Sequence, residues 1–174
     1  MIKKLLLALL GIIVLLAVCF LAIGWLNPSL AMETRVEINK PRSVVWKYFV
    51  GQNNLKEWLP NVKSIENIRG EPMTAGSKFK MTFEENGSEI VMTETMTEVK
   101  ENEVFAFVLE NEVIRADERI TFIDKGDKTE LVENSTLVGG NIVWRALFAL
   151  SKFSFQANSA AAYQKLKTNV ENLK

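Results

Sequence analysis

The sequence predicts an α+β protein: a seven-stranded antiparallel sheet wrapped around a long C-terminal helix, with two short helices after the first strand and one transmembrane helix ahead of the whole. Three observations carry the prediction. Leu5 to Leu26 is an uncharged apolar run, six strand-like stretches separated by turn formers follow one another between residues 63 and 138, and neither glycine nor proline occurs from Asn141 onward.

The apolar run comes first. A helix needs about 20 apolar residues to cross a hydrocarbon core of about 30 Å, and LLLALLGIIVLLAVCFLAIGWL supplies them between Lys3-Lys4 and the breaker pair Asn27-Pro28. Gly11 and Gly24 are tolerated because a helix in lipid satisfies its own backbone, and Trp25 lies where an interfacial aromatic belongs. A cleavable signal peptide is the alternative, with Ser29-Leu30-Ala31 as a small-x-small site, but signal cores run only about 7–15 residues. A lipoprotein signal ending at Cys19 fits less well, since Val18 precedes it and more apolar chain follows. Residues 1–4 are thus read as a short cytoplasmic flank, 5–26 as a transmembrane helix or signal anchor, 27–31 as a linker and 32–174 as one domain. Lys3 and Lys4 favour a cytoplasmic N-terminus, so the expectation is a single-pass membrane protein with an extracytoplasmic domain, periplasmic in a Gram-negative cell.

Within the domain, METRVEI reads as a first strand stopped at Asn39-Lys40-Pro41. Pro41 suits the first turn of a helix whose apolar face is Val44, Val45, Tyr48 and Phe49, and NNLKEWL forms a second short helix stopped by Pro60. Six strands follow: KSIENIR, SKFKMTFEE, SEIVMTETMTEV, EVFAFVLE, VIRADERITFID and TELVENSTLV. Glu85-Asn86-Gly87-Ser88 and Asp124-Lys125-Gly126-Asp127 are hairpin signals, and connections this short join only antiparallel neighbours. After Gly139-Gly140, an approximate stripe through Leu147, Leu150, Phe153 or Ser154, Ala157, Ala161, Leu166 and Val170 predicts one long helix, with a possible bend at 151–158.

This order resembles the helix-grip fold of the START-like superfamily, which includes polyketide cyclase/dehydrase-like (SRPBCC-type) proteins and the birch-pollen-allergen group. The residues that carry the resemblance are the opening VEINKPRSVVWKYF, the EWLP element before NVKSIE, Gly70 and Gly76 around the turn into SKFKMTF, and the terminal YQKLKTNVENLK. It spans about residues 32–174 and implies a cup in which sheet and helix enclose an apolar cavity for a lipid or other hydrophobic small molecule. The N-terminal membrane segment departs from the family pattern.

Composition narrows the chemistry. The chain has no histidine and one cysteine, inside the apolar run, which removes imidazole bases, Ser-His and Cys-His arrangements, conventional zinc sites and the family's mononuclear iron site. No metal or other cofactor is expected. Two of the 21 basic residues precede the span and all 21 acidic residues follow it, so the domain is slightly acidic and nucleic acid is not an expected partner. The expected partners are the bilayer, through residues 5–26, and a hydrophobic small molecule or lipid; whether there is a protein partner is left open by the sequence.

On the fourth strand, Ile90, Met92, Glu94, Met96 and Glu98 share one face, against Val91, Thr93, Thr95, Thr97 and Val99 on the other. If the first face is inward, Glu94 is a carboxylate among methionines and the candidate acid, base or ligand contact; solvation or cross-strand pairing is the alternative. Candidate ligand contacts are Phe79, Met81, Phe83, Met92, Met96, Phe105 and Phe107 on the strands, with Trp144, Leu147 and Phe148 from the final helix, though the same patterns make an ordinary core. Arg115 is a candidate polar anchor for a carboxylate headgroup, with pairing on the outer face as its simpler role. The functional expectation is a membrane-tethered binding module for a hydrophobic molecule held between sheet and final helix. The alternatives are a cyclase-, dehydratase- or hydrolase-like enzyme using a buried carboxylate, and a ligand-free interaction domain using the apolar face of residues 142–155.

Overall fold

A computed structural model describes residues 2–59, 61–85 and 87–173. Asn86 and Pro60, invoked above for a hairpin and a helix stop, lie outside the described residues.

Helix α1 (Ile2–Leu26) is followed almost at once by β1 (Leu30–Ile38), α2 (Arg42–Phe49) and α3 (Gln52–Trp58). Then come β2 (Val62–Arg69), β3 (Lys78–Glu85), β4 (Ser88–Lys100), β5 (Val104–Glu110), β6 (Ile114–Asp124) and β7 (Thr129–Gly139), and finally α4 (Ile142–Leu150) and α5 (Lys152–Glu171). The strands form one seven-stranded sheet in the order β1-β7-β6-β5-β4-β3-β2, every described pairing antiparallel. Consecutive hairpins build six of the strands into a meander, and β1 closes it by pairing with β7. The second predicted turn is present: Gly126 has φ +83° and its N–H donates to Asp124 Oδ1 at 2.8 Å.

Helix α5 lies across the concave face, packed along β1 and against α2 and α3. Its inward residues are Ser159, Ala162, Tyr163, Leu166 and Val170, whereas Ala157 and Ala161 are exposed. The apolar stripe read from the sequence is therefore rotated, because Ser159 and Tyr163 face polar partners on the sheet. The final helix is broken in two at Ser151, inside the expected bend. The Asn141 side chain caps α4 by accepting from the Val143 and Trp144 N–H groups.

One end of the cup is solid. Ile38, Val45, Phe122, Leu131, Leu166 and Val170 are at most 2% exposed, and Trp46, Phe49, Phe105 and Phe122 stack edge to face with centroids 5.0–6.3 Å apart. Such pairs add to simple area burial because ring edges and faces carry opposite partial charge. A smaller apolar cluster, Leu30, Ala116 and Leu137, closes the opposite end of β1, β7 and β6. Leu30 belongs to β1 and is buried, so the chain after α1 is shorter than the linker expected at 27–31.

Candidate functional site

Between sheet and α5 lies a cavity of about 590 Å³. The sheet contributes Ile65, Phe79, Met81, Phe83, Met96, Phe105, Phe107, Leu109 and Ile120; α3 contributes Leu55 and Trp58, and α5 contributes Ala162 and Tyr163. Exposed Gln52, Pro72 and Asn158 belong to its rim. The strands place these side chains by simple alternation: Phe79 faces Glu94 and Met81 faces Met92 across β3 and β4, and Met96 faces Phe107 across β4 and β5.

The charged groups lining this apolar wall are Glu94 and Glu133. Glu94 is 7% exposed. It sits between Met92 and Met96 on its own strand and opposite Phe79 and Leu109 on the neighbouring ones. Among the described residues no side chain donates a hydrogen bond to it, and burial alone pushes its carboxyl up to about 7. Glu133 accepts a hydrogen bond from the Ser159 hydroxyl of α5, which is also 2.8 Å from the Thr34 hydroxyl. The Tyr163 hydroxyl is held in its neutral form first by burial and then by the neighbouring Glu133 carboxylate.

A third carboxyl sits beside the cavity. Glu118 on β6 faces Phe107 on β5 and Ser135 on β7; the Ser135 hydroxyl donates to its Oε1 at 2.6 Å, and its buried Oε2 has no partner among the described residues. Burial, and to a lesser degree the negative charges of Glu133 and Asp117, push it up to about 8, against the pull of the Ser135 hydrogen bond. Thr34, Glu133, Ser135 and Glu118 thus form a polar belt on the concave face between the two apolar clusters.

The predicted residues are distributed as follows. Phe79, Met81, Phe83, Met96, Phe105 and Phe107 line the cavity together with Glu94; Met92 is buried beside Met81 but not in the wall. Trp144, Leu147 and Phe148 are corrected: the break at Ser151 carries α4 off the cavity and onto α1, where Gly24 fits against the Ile142 carbonyl and Ala146. Trp144 packs instead on Phe148, and Phe148 on Phe155. Arg115 is corrected too, since its guanidinium points outward and pairs with Glu110 and Asp117 at 3.0 and 2.9 Å. The face shared by Glu94 and Glu98 also fails to persist: a register shift between Met96 and Glu98 turns Glu98 outward to Arg119 and Lys100 and brings Val99 to the inner side.

Glu118 and Glu133 escaped the sequence reading. The signal was clear for Glu118, which interrupts the apolar alternate face of Ile114, Ala116, Ile120 and Phe122, and weak for Glu133, whose face carries Thr129 and Ser135 as well as Leu131 and Leu137. Among the described residues no group of three or more Asp, Glu or Cys side chains is arranged to hold a metal ion.

Residues 29–171 match the family model described as polyketide cyclase / dehydrase and lipid transport. The chain belongs to this family. Solved structures with the same fold include an aromatase/cyclase from Streptomyces sp. R1128, 13% identical with TM-score 0.65, covering 82% of this chain and 94% of that one. The TTHA0849 protein of Thermus thermophilus is 19% identical with TM-score 0.66, covering 81% and 97%. Ara h 8.0201 is 14% identical with TM-score 0.65, covering 82% and 97%. At these identities the structures establish the fold. No curated protein matches the sequence. Family and fold together make this a hydrophobic-ligand-binding or cyclase-like helix-grip domain, with one N-terminal helix long and apolar enough to cross a membrane.

Proposed function

We propose that the chain is a membrane-tethered binding module that holds a lipid or other hydrophobic small molecule between the sheet and α5. The observation that carries this reading is the cavity itself: about 590 Å³, walled by aromatic, methionine and aliphatic side chains with a few polar groups to fix orientation, the usual make-up of a small-molecule site. Removing an apolar ligand from water supplies the affinity, at about 25 cal/mol per Å² of apolar surface buried before the costs of association.

The tether is supported by how α1 meets the domain. A side chain at Gly24 would stand 2.1 Å from the Ile142 carbonyl, so α1 and α4 approach at backbone distance there. Cleavage after Ala31 would sever β1 inside its pairing with β7 and detach Leu30 from its buried cluster. Leu147, Leu150 and Phe153 remain exposed after α4 packs on α1, an apolar set suited to lipid. An extracytoplasmic domain follows from Lys3 and Lys4 as argued above. With α1 retained in this orientation, the mature chain keeps its full mass and a C-terminal tag is digested by protease added to spheroplasts; a shortened chain or a protected tag overturns the corresponding part.

The cavity is tested by purifying the full chain gently from its native membrane and identifying extracted small molecules by mass spectrometry. A stoichiometric hydrophobic compound is expected, lost when Leu109→Trp adds volume at the wall. Recovery of none from the wild type, or equal recovery from the filled variant, refutes the reading.

A second reading, acid–base catalysis, is favoured by the placement of Glu94: its carboxyl lies buried in the cavity wall, and that burial pushes it up to about 7, where a carboxyl serves as proton donor and acceptor alike. If it is correct, Glu94→Gln lowers turnover by roughly 10²-fold or more. Unchanged turnover removes Glu94 from that role.

A further inference from the structure

The cavity is electrostatically one-sided. Lysine and arginine are absent from its described lining, and the ionisable groups facing it or lying just behind it are Glu94 from β4, Glu118 from β6, Glu133 from β7 and Tyr163 from α5, all neutral or negative. The arginines and lysines of the same strands serve the other side of the sheet: Arg115 pairs with Glu110 and Asp117, Arg119 with Glu98, Lys100 with Glu98 and Lys80 with Glu66. Their charges are spent in water on outer-face partners.

The three inner carboxyls are not equivalent. Glu118 is held by Ser135 and is absent from the wall, and Glu133 is held by Ser159. Glu94 alone meets the cavity with neither oxygen engaged by a described side chain. We infer that the cavity selects hydrophobic molecules bearing an amine, with the Glu94 carboxylate receiving the ammonium group, and that it discriminates against fatty acids and other apolar anions. This rests on the cavity-binding reading above and assigns its ligand a chemical class.

The physical reason is the asymmetry between pairing and repulsion in a dry site. An ammonium donates charge-assisted hydrogen bonds to Glu94 and relieves an unpartnered buried acceptor. A carboxylate headgroup would lose its hydration, find no cation, face the Glu133 side chain at close quarters, and enter only at the cost of holding Glu94 protonated. Because burial sets Glu94 near 7, a bound cation pulls it to the ionised form at neutral pH, whereas a bound anion holds it protonated.

The cavity carries its own reporters, since Met73, Met81 and Met96 line it. The full chain with ¹³C-methyl methionine, in lipid nanodiscs at pH 7, is titrated with octylammonium, octanol and octanoate, free concentrations being corrected against protein-free nanodiscs. Octylammonium is expected to saturate the Met81 and Met96 shifts at a concentration at least about ten-fold below octanoate, one charge-assisted hydrogen bond's worth. Glu94→Gln should shrink that advantage to less than about three-fold while octanol still gives saturable shifts, and Glu98→Gln on the outer face should leave the advantage in place. Octanoate binding as tightly as octylammonium overturns the inference while the cavity reading stands, and persistence of the preference in Glu94→Gln overturns Glu94 as the anchor. Failure of octanol to move any cavity methionine overturns the cavity reading itself.

Discussion

Glu94 and Glu98 lie on the same strand, a few residues apart, yet the fold sends them to opposite electrostatic worlds. On the concave side, burial without a partner raises Glu94 to about 7. On the convex side, hydrogen bonds from Arg119 and Lys100 lower Glu98 to about 2. The residue between them that has no cross-strand partner, Thr97, is the difference: without that bulge, period-two alternation would put both carboxylates inside. The same division runs through β6, where Arg115, Asp117 and Arg119 form outer ion pairs or lie on the outer face while Glu118 faces in. The outer face therefore holds paired, water-screened charge, and the inner face holds unpaired carboxyls set in an apolar wall. Only the second arrangement leaves interaction energy available to a ligand.

Deleting Thr97 is the most direct test of this contrast. Without the extra residue, Met96, Glu98 and Val99 follow one another in plain alternation, in, out and in, opposite Phe107, Ala106 and Phe105 as before, so Glu98 stays outside and Val99 stays in the core. A folded variant with native near-ultraviolet circular dichroism is expected; an unfolded or molten one would show that Thr97 is not the extra residue that sets the two faces.

The inner carboxyls predict a specific pH dependence. Their folded pKa values are raised above those of the unfolded chain, so the folded state binds protons more tightly and stability falls as pH rises from about 4.5 through 7 for Glu94 and through 8 for Glu118. At pH 9, Glu118→Gln should stabilise the protein by about 5 kcal/mol at most and Glu94→Gln by about 3 kcal/mol at most, and each by almost nothing below pH 4. Denaturant titrations across this range check it, and a wild-type curve flat between pH 5 and 8 would contradict the unpaired burial of both groups.

The outer face gives the smallest effect. Arg119→Ala should barely move the unfolding midpoint at neutral pH, and added salt should erase the remainder, because exposed ion pairs are screened and entropically costly to hold. For Glu98 the sign is opposite to that of Glu94: its pKa is lowered, so whatever stability it lends is present above the unfolded value and lost as pH falls toward 2. A salt-insensitive loss in Arg119→Ala would place this face's charges among the structural determinants of the fold.

The long apolar helix, the seven strands, the two short helices and the final helical stretch are all legible in one dimension, because each is written in local terms: hydrophobic period, turn residues and breakers. Glu94 is marked as unusual in the same way, since a carboxylate between two methionines at period two needs no third dimension to be seen. The remaining features required the assembled molecule. Whether that face of β4 is inner depends on which side α5 covers, and the shift that separates Glu98 from Glu94 depends on pairing with β5. That Trp144, Leu147 and Phe148 leave the cavity for α1 depends on the break at Ser151 and on the close approach at Gly24. The polar belt of Thr34, Glu118, Glu133, Ser135 and Ser159 joins residues up to 125 positions apart, and no local pattern can bring them together. Periodicity says which residues would share a face; strand pairing decides whether they do, and packing decides what that face meets.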